Sequence, residues 1–185
     1  EKDARLLRSV ARAEDRQPGV RQVERSRFQR PYGLHLGAEK FLDIKMRYAN
    51  LDVAAVVLVA TVRALKRHGG VAKEKLAEPD PAAVQRGMEN LYKHIENIRI
   101  FGRTPVVAMN RFATDSDAEL AVVKDACTAL GVPVALADVF ALGGEGGREL
   151  GRAVLAQAKL ADAPYTPLYD WNLSQNRSEL PNRLL

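Results

Sequence analysis

The sequence predicts an α/β fold in which helices layer against a parallel sheet, and three apolar runs are the main observations that predict it. The runs are residues 53–59, 105–110 and 133–140, and helical patterns lie between and after them. Strands that alternate with helices form parallel sheets through right-handed crossovers. Open sheets of this kind bind ligands beyond the carboxyl ends of their strands. We therefore expect functional residues to follow the three runs.

The first run, residues 53–59, is almost entirely aliphatic and rich in valine, which is typical of a strand buried on both faces. A basic segment follows it and ends in Gly69 and Gly70. A cationic loop at this point favours an anionic ligand, a phosphate or a carboxylate. An ordinary solvated basic turn explains the pattern equally well. The cationic side chains of the segment are Arg63, Lys66, Arg67 and His68.

Helical patterns surround the other two runs. Apolar residues at the spacing of one helical face predict a helix over residues 82–101. Ser116, followed by Glu119 three residues later, forms a capping box that predicts the start of a helix over residues 116–130. A third helix is predicted over residues 145–160.

Polar and glycine residues follow the second and third runs. Asn110 ends the second strand, where a side-chain amide donates and accepts at once. Phe112 is either a ring that stacks on a planar ligand or a core anchor at a helix start. Asp115 is either a ligand contact or a carboxylate favoured by the helix dipole. The third run leads into a glycine-rich turn that either offers backbone N–H groups to an anion or simply bends the chain. This turn consists of Gly143, Gly144, Glu145, Gly146 and Gly147.

The net charge of +5 is concentrated near the amino terminus. Residues 1–31 hold nine Lys/Arg and five Asp/Glu, whereas the other 154 residues hold nineteen and eighteen. This basic arm is either an electrostatic contact for anionic partners or a leader without function, and its lack of interleaved aromatics disfavours nucleic-acid binding. A single cysteine, Cys127, indicates a reducing compartment. No apolar run suits a membrane span or a signal peptide, so we expect a cytoplasmic protein.

Five collinear segments resemble the family of formate–tetrahydrofolate ligase, also called formyltetrahydrofolate synthetase. The resemblance covers roughly residues 33–170. The segments that carry it are residues 36–45, 60–70, 90–98, 106–119 and 143–147.

The resemblance implies an enzyme that joins formate to tetrahydrofolate with ATP, through a formyl phosphate intermediate, on a P-loop NTPase-like core. It implies ATP and Mg²⁺, tetrahydrofolate as a substrate, and a homo-oligomer at full length. We expect Arg63 to be catalytic because a guanidinium matches carboxylate and phosphoryl geometry, with Lys66 and His68 adding charge or a donor.

The resemblance also implies the binding residues, and none of them is assigned to a metal. For the substrate we expect Glu39, Lys40, Gly69 and Gly70, the glycines allowing close backbone approach. Glu39 is alternatively a carboxylate that favours the helix start. For the nucleotide we expect Asn110, Phe112, Asp115, Gly143, Gly144, Glu145, Gly146 and Gly147.

Several positions depart from the family pattern. The family carries an upstream glycine-rich phosphate loop, whereas no G-x-x-x-x-G-K-[ST] occurs in this chain. The chain has His35, Phe140 and Leu142 where the family usually has Asp, Trp and Lys.

These departures predict an incomplete core. We expect a basic arm at residues 1–31, a partial nucleotide- and formate-binding domain at residues 32–170 and a tail at residues 171–185. Three hypotheses follow: a piece of a ligase that is active at full length, a non-catalytic nucleotide- or folate-binding remnant, and an interaction module that uses the basic arm.

Overall fold

A computed structural model of the protein describes residues 38–160 and 165–169. The predicted basic arm and C-terminal tail lie outside these residues, as does His35. The strands are β1 (Val57–Ala60), β2 (Val106–Asn110) and β3 (Val134–Ala137). The α-helices are α1 (Val62–His68), α2 (Pro81–Ile100), α3 (Asp117–Ala129), α4 (Val139–Leu142) and α5 (Arg148–Lys159). A π-helix spans Lys40–Met46, and 3₁₀ turns span Lys73–Lys75 and Glu145–Gly147.

The three strands form one parallel sheet in the order β1-β2-β3. The register places Val107 beside Leu58 on one side and beside Val134 on the other. The central strand β2 is almost entirely buried. These observations confirm the predicted α/β class and the parallel sheet.

The main core lies between the sheet and helices α1, α2 and α3. Leu58, Val107 and Met109 supply the sheet side, and Leu91 of α2 and Val123 of α3 are among the residues that cover it. Helix α5 packs against β2 and β3 and adds no residue to this core, which places it on the opposite face. The sheet is therefore layered with helices on both faces. The crossovers from β1 to β2 and from β2 to β3 run in the same direction, so right-handed connections place α1, α2 and α3 together on one face.

Cys127 lies on the core side of α3 and is fully buried. Desolvation raises the pKa of its thiol to about 11. The residue is a small apolar member of the core, and its thiol is protonated at neutral pH.

The first strand is shorter than the sequence indicates. The sequence predicts a strand over residues 53–59 that is buried on both faces. In the structure β1 is Val57–Ala60, and its residues alternate between half-buried and buried. Within the described residues β1 pairs only with β2, which leaves it at the sheet edge. Val53 lies before the strand, in a second cluster with Leu42, Met46 and Phe101.

The prediction of a cationic loop after this strand is also wrong, because the segment forms helix α1. The Thr61 hydroxyl accepts a hydrogen bond from the Ala64 amide at 3.1 Å and caps the helix. Val62 and Leu65 are fully buried and give the helix an apolar face. The basic residues of the last turn lie where the helix dipole favours cations.

The other helices agree closely with the prediction. Helix α2 begins at Pro81 after an Asp80 cap. The capping box at the start of α3 is present, with Ser116 and Glu119 bonding each other's backbone amides. The predicted third helix differs at its start, where the 3₁₀ turn Glu145–Gly147 precedes α5.

Helices α1 and α2 touch backbone to backbone at two glycines. A Cβ on Gly87 would overlap the Leu65 carbonyl oxygen, and a Cβ on Gly69 would overlap the Ala83 carbonyl oxygen. This close approach fixes α1 tightly on α2, and α1 carries the first functional candidates.

Residues 165–169 pack on the π-helix Lys40–Met46. The Leu168 amide donates to Asp43 Oδ1 at 2.8 Å, and the Tyr165 hydroxyl donates to the Leu42 carbonyl at 2.8 Å. Within residues 38–160 and 165–169, no helix has both the length and the apolar character that crossing a membrane requires.

Candidate functional site

The loop after β2 meets the first turn of α1 at the carboxyl edge of the sheet. Arg63 Nη2 donates to Thr114 Oγ1 at 3.2 Å. The Arg63 guanidinium carbon lies 4.8 Å from the centroid of the Phe112 ring. Asp115 completes this group, which we call the Arg63 cluster: Arg63, Phe112, Thr114 and Asp115. Its members follow two neighbouring strands, where parallel sheets bind ligands.

Two polar atoms of the Arg63 cluster are buried and have no hydrogen-bond partner among residues 38–160 and 165–169, namely Arg63 Nε and Asp115 Oδ1. The other Asp115 oxygen, Oδ2, accepts from the Phe112 amide at 2.9 Å. Buried polar groups almost always have partners, so each exception needs an explanation. A donor and an acceptor left over in one cluster indicate a place where a ligand completes the hydrogen bonding.

Asp115 is 6% exposed, and desolvation raises the pKa of its carboxyl group. The Phe112 amide and the nearby charges of Lys66 and Arg63 oppose this effect. Asp115 precedes the Ser116 cap, so its carboxylate does not cap α3. It accepts a hydrogen bond from the Phe112 amide and thereby stabilises the loop after β2. Phe112 is 38% exposed, which excludes the alternative of a buried core anchor.

The three cations predicted to be catalytic do not lie together. Arg63 contacts the loop after β2, whereas Lys66 is fully buried and bonds Glu119 Oε1 at 2.8 Å and the Glu78 carbonyl at 3.0 Å. His68 lies in the last turn of α1, where burial lowers its pKa. Of the three, the structure brings Arg63 to the cluster and places Lys66 in an internal ion pair.

The sequence patterns predicted the capping role of Glu119 but not its contacts with Lys66 and Asp80. Its Oε2 accepts from the Ser116 amide at 2.9 Å and the Ser116 hydroxyl at 2.7 Å, and its Oε1 accepts from Lys66 and from the Asp80 amide at 2.9 Å. Burial acts to raise the pKa of Glu119, but the hydrogen bonds from Asp80, Lys66 and Ser116 outweigh it and lower the pKa to about 2. Local pattern reveals only the cap, since the other bonds join distant segments. Thr114 was likewise missed, and no local signal marks it.

The glycine-rich turn follows β3 at the same edge of the sheet. A Cβ on Gly146 would overlap the Asp138 carbonyl oxygen, and the Asp138 amide donates to the Gly146 carbonyl at 3.1 Å. Gly143 has φ 56°, a left-handed conformation that favours glycine. Backbone packing thus accounts for these two glycines, and an anion contact stays a prediction. Asn110 ends β2, as predicted, and is half-buried.

The predicted substrate residues lie away from the Arg63 cluster. Glu39 and Lys40 stand at the start of the π-helix, which packs through Leu42 and Met46 against residues that precede β1 and β2. The Arg63 cluster follows those strands, so the structure does not bring the two groups together. The close backbone approach at Gly69 is to α2, and Gly70 is exposed.

Metal-binding side chains do not cluster in the described part of the chain. No group of three or more His, Cys, Asp or Glu residues that would hold a metal ion occurs there. Mg²⁺ is usually bound through one or two carboxylates and substrate phosphates, so the Mg²⁺ that the resemblance implies stays a prediction.

One comparison with known proteins bears on this geometry. The family model described as formate–tetrahydrofolate ligase matches residues 29–179, which is most of the 185-residue chain. The matched region contains the whole sheet, every described helix and the Arg63 cluster. It confirms the resemblance carried by the five sequence segments. The chain therefore belongs to the formate–tetrahydrofolate ligase family.

Proposed function

We propose that this chain carries part of the active site of a formate–tetrahydrofolate ligase, and that the Arg63 cluster contacts its substrates. The complete enzyme joins formate to tetrahydrofolate with ATP and yields 10-formyltetrahydrofolate. The observation that supports this proposal lies beside the exposed Phe112 ring, where a buried donor and a buried acceptor have no partners among the described residues. They lie at the edge of a parallel sheet where ligands bind.

The proposed chemistry has two steps. A formate oxygen attacks the γ-phosphorus of ATP, ADP leaves, and formyl phosphate forms. The amine of tetrahydrofolate then attacks the formyl carbon, inorganic phosphate leaves with the bonding electrons, and the nitrogen loses a proton. Both steps carry negative charge on phosphoryl and carboxylate oxygens, so a fixed cation stabilises them.

Arg63 supplies that cation in the proposal. Its guanidinium is held by Thr114 and by the Phe112 ring, and its Nε–H has no hydrogen-bond partner in the described part of the chain. A guanidinium placed in advance donates to two oxygens of a carboxylate or phosphoryl group without reorganising. Asp115 Oδ1 then accepts from a donor on the ligand.

The proposal assigns planar-ring contacts to the residues after β2. One side of the Phe112 ring faces the Arg63 guanidinium, and the exposed part is available to stack on adenine or pterin. Asn110 offers its amide to an adenine edge, and the glycine-rich turn offers backbone N–H groups to phosphates. A P-loop NTPase-like core is part of the same proposal, supported by the parallel sheet with its candidate site at the carboxyl edge.

The other assignments stay predictions. They comprise the substrate roles of Glu39, Lys40, Gly69 and Gly70, the catalytic roles of Lys66 and His68, the requirement for Mg²⁺, the cytoplasmic location and the homo-oligomer at full length.

The test measures substrate binding by calorimetry and formate-dependent ADP release, using the 185-residue chain. We expect Arg63→Gln to weaken formate binding by about 10- to 100-fold, because a hydrogen bond to a charged group contributes about 1.5–3 kcal/mol. Arg67→Gln is the matched control, since Arg67 lies on the same helix but is exposed. Wild-type affinity in Arg63→Gln, or no substrate binding by the wild type, would contradict the proposal.

The second candidate is a binding remnant without catalysis. The burial of Lys66 in an ion pair favours it, because this cation is then withheld from substrate. ADP release by this chain would contradict this candidate, whereas substrate binding that is sensitive to Arg63→Gln without ADP release is compatible with it.

A further inference from the structure

Glu119 makes more hydrogen bonds than its capping role requires. The capping box uses only Oε2, which bonds Ser116. The second oxygen, Oε1, bonds Lys66 Nζ at 2.8 Å and the Asp80 amide at 2.9 Å. One carboxylate therefore joins α1, the start of α2 and the start of α3, and neither side chain of the ion pair is exposed.

Stability alone does not explain a pair of this kind. Removing two charges from water offsets most of their mutual attraction, and well-packed apolar residues of similar volume often stabilise a fold equally well or better. The best-attested role of a buried ionic group is to select one arrangement of the elements that it joins. The question is then which arrangement Lys66 and Glu119 select.

The positions of the pair answer this question. Lys66 lies about one helical turn after Arg63 on α1, and Glu119 lies four residues after Asp115. The ion pair thus connects the same two segments as the Arg63–Thr114 hydrogen bond, one turn further along each. That hydrogen bond is exposed, at 3.2 Å, and such contacts are too weak to fix two segments by themselves.

We propose that Glu119 is a positioning residue that acts through Lys66 to hold the Arg63 guanidinium over Phe112 and Thr114. The inference rests on the proposed function for what the Arg63 cluster binds. The geometric part of it is independent of any ligand.

The experiment measures the NMR shifts of the Arg63 side-chain protons in the full chain without substrate. The Phe112 ring moves these protons upfield when the guanidinium lies over it, and Phe112→Ala supplies the unshifted reference. The decisive variant combines Lys66→Met with Glu119→Leu, which removes both charges and leaves none unpaired. Glu119→Gln is the second variant, and Glu96→Gln is the matched control because Glu96 belongs to an exposed ion pair with Lys93.

We expect the double variant to fold and to lose the upfield shift, Glu119→Gln to lose part of it, and Glu96→Gln to retain it. A folded double variant with the wild-type shift would overturn the proposal. If the double variant does not fold, Glu119→Gln decides by the same criterion. If neither variant folds, the Lys66–Glu119 ion pair is needed for folding itself, and the proposal that it positions Arg63 is wrong.

The same samples separate this inference from the proposed function. Failure of the wild-type chain to bind formate, ATP or tetrahydrofolate would contradict the ligase proposal and leave the Arg63 shifts unaffected. If the wild type does bind formate, the double variant is expected to bind it more weakly.

Discussion

The carboxyl ends of β1 and β2 differ sharply from that of β3, although all three belong to one sheet edge. After β1 and β2, Asp115 is buried, Arg63 is held against a ring, and an internal ion pair joins the helices. After β3, Phe140 is 100% exposed, and neither α4 nor the 3₁₀ turn contains a buried residue. The first region is arranged before any ligand arrives. In the second region, the closest packing is between the backbones of Gly146 and Asp138.

Breaking the ion pair should produce the largest loss of stability. Lys66→Ala leaves the buried Glu119 carboxylate without its cation, so the free energy of unfolding is expected to fall by about 3–5 kcal/mol. Urea denaturation monitored by circular dichroism measures this change.

Lys93→Ala is the matched control for this prediction. Lys93 forms an exposed pair with Glu96 at 3.0 Å, and pairs of this kind contribute about 0–1 kcal/mol. Equal losses in the two variants would show that the first region is no more tightly built than the surface.

Acid should weaken the first region over a defined pH range. The pKa of Glu119 is about 2 in the folded protein and 4.5 when unperturbed, so its stabilisation is complete above pH 4.5 and is lost as the pH falls toward 2. The loss is on the order of 3 kcal/mol, since one pKa unit corresponds to about 1.4 kcal/mol.

The comparison of wild type with Glu119→Gln isolates this contribution. Asp43 and Asp115 have pKa values raised by burial, so their contributions change in the opposite direction as the pH falls. The contribution of Asp43 is common to both proteins and cancels. Glu119→Gln removes one cause of the raised Asp115 pKa, so the contribution of Asp115 becomes smaller in the variant. Parallel stability profiles between pH 4.5 and pH 2 would refute the assignment to Glu119.

Separating α1 from α2 should have a smaller effect. In Gly87→Ala the new methyl group meets the Leu65 carbonyl, and overpacking of this kind costs about 1–3 kcal/mol. Gly144→Ala in the second region is the control, because a Cβ there has nothing within 4 Å. Thermal unfolding of both variants measures the difference, and a stable Gly87→Ala would mean that α1 shifts freely on α2.

The two aromatic residues give the smallest effects and the finest comparison. Phe112→Ala loses the guanidinium–ring contact and is expected to cost about 0.5–1 kcal/mol. Phe140→Ala changes an exposed side chain and is expected to stay within about 0.5 kcal/mol of wild type. Chemical denaturation of the two variants in parallel tests this order, and a larger loss in Phe140→Ala would reverse the comparison.

Local signals decided which parts of the fold were predictable from sequence. The capping box at Ser116 and Glu119 marked the start of α3 correctly, because a cap is a contact within four residues. The length of β1 was wrong, since pairing with β2 sets it and that pairing is distant in sequence. The basic segment was misassigned because four cations obscured the Thr61 cap and the apolar face of α1.

In the candidate site, too, local features were predictable from sequence and contacts between distant segments were not. Arg63, Phe112 and Asp115 were identified from their place after apolar runs and from the family resemblance. The Thr114 contact and the Glu119 bonds to Lys66 and Asp80 were not, because they join segments 39 to 53 residues apart in the chain. Sequence patterns therefore indicated residues of the candidate site but did not show what holds them in place.

The burial of Cys127 has a practical consequence for spectroscopy. It is the only cysteine in the chain, and its high pKa and lack of exposure shield the thiol from maleimide reagents near pH 7. A cysteine introduced on the surface, for example Phe140→Cys, would then carry a fluorophore or spin label at one defined position. The wild-type core can stay intact while the mobility of the glycine-rich turn is followed directly.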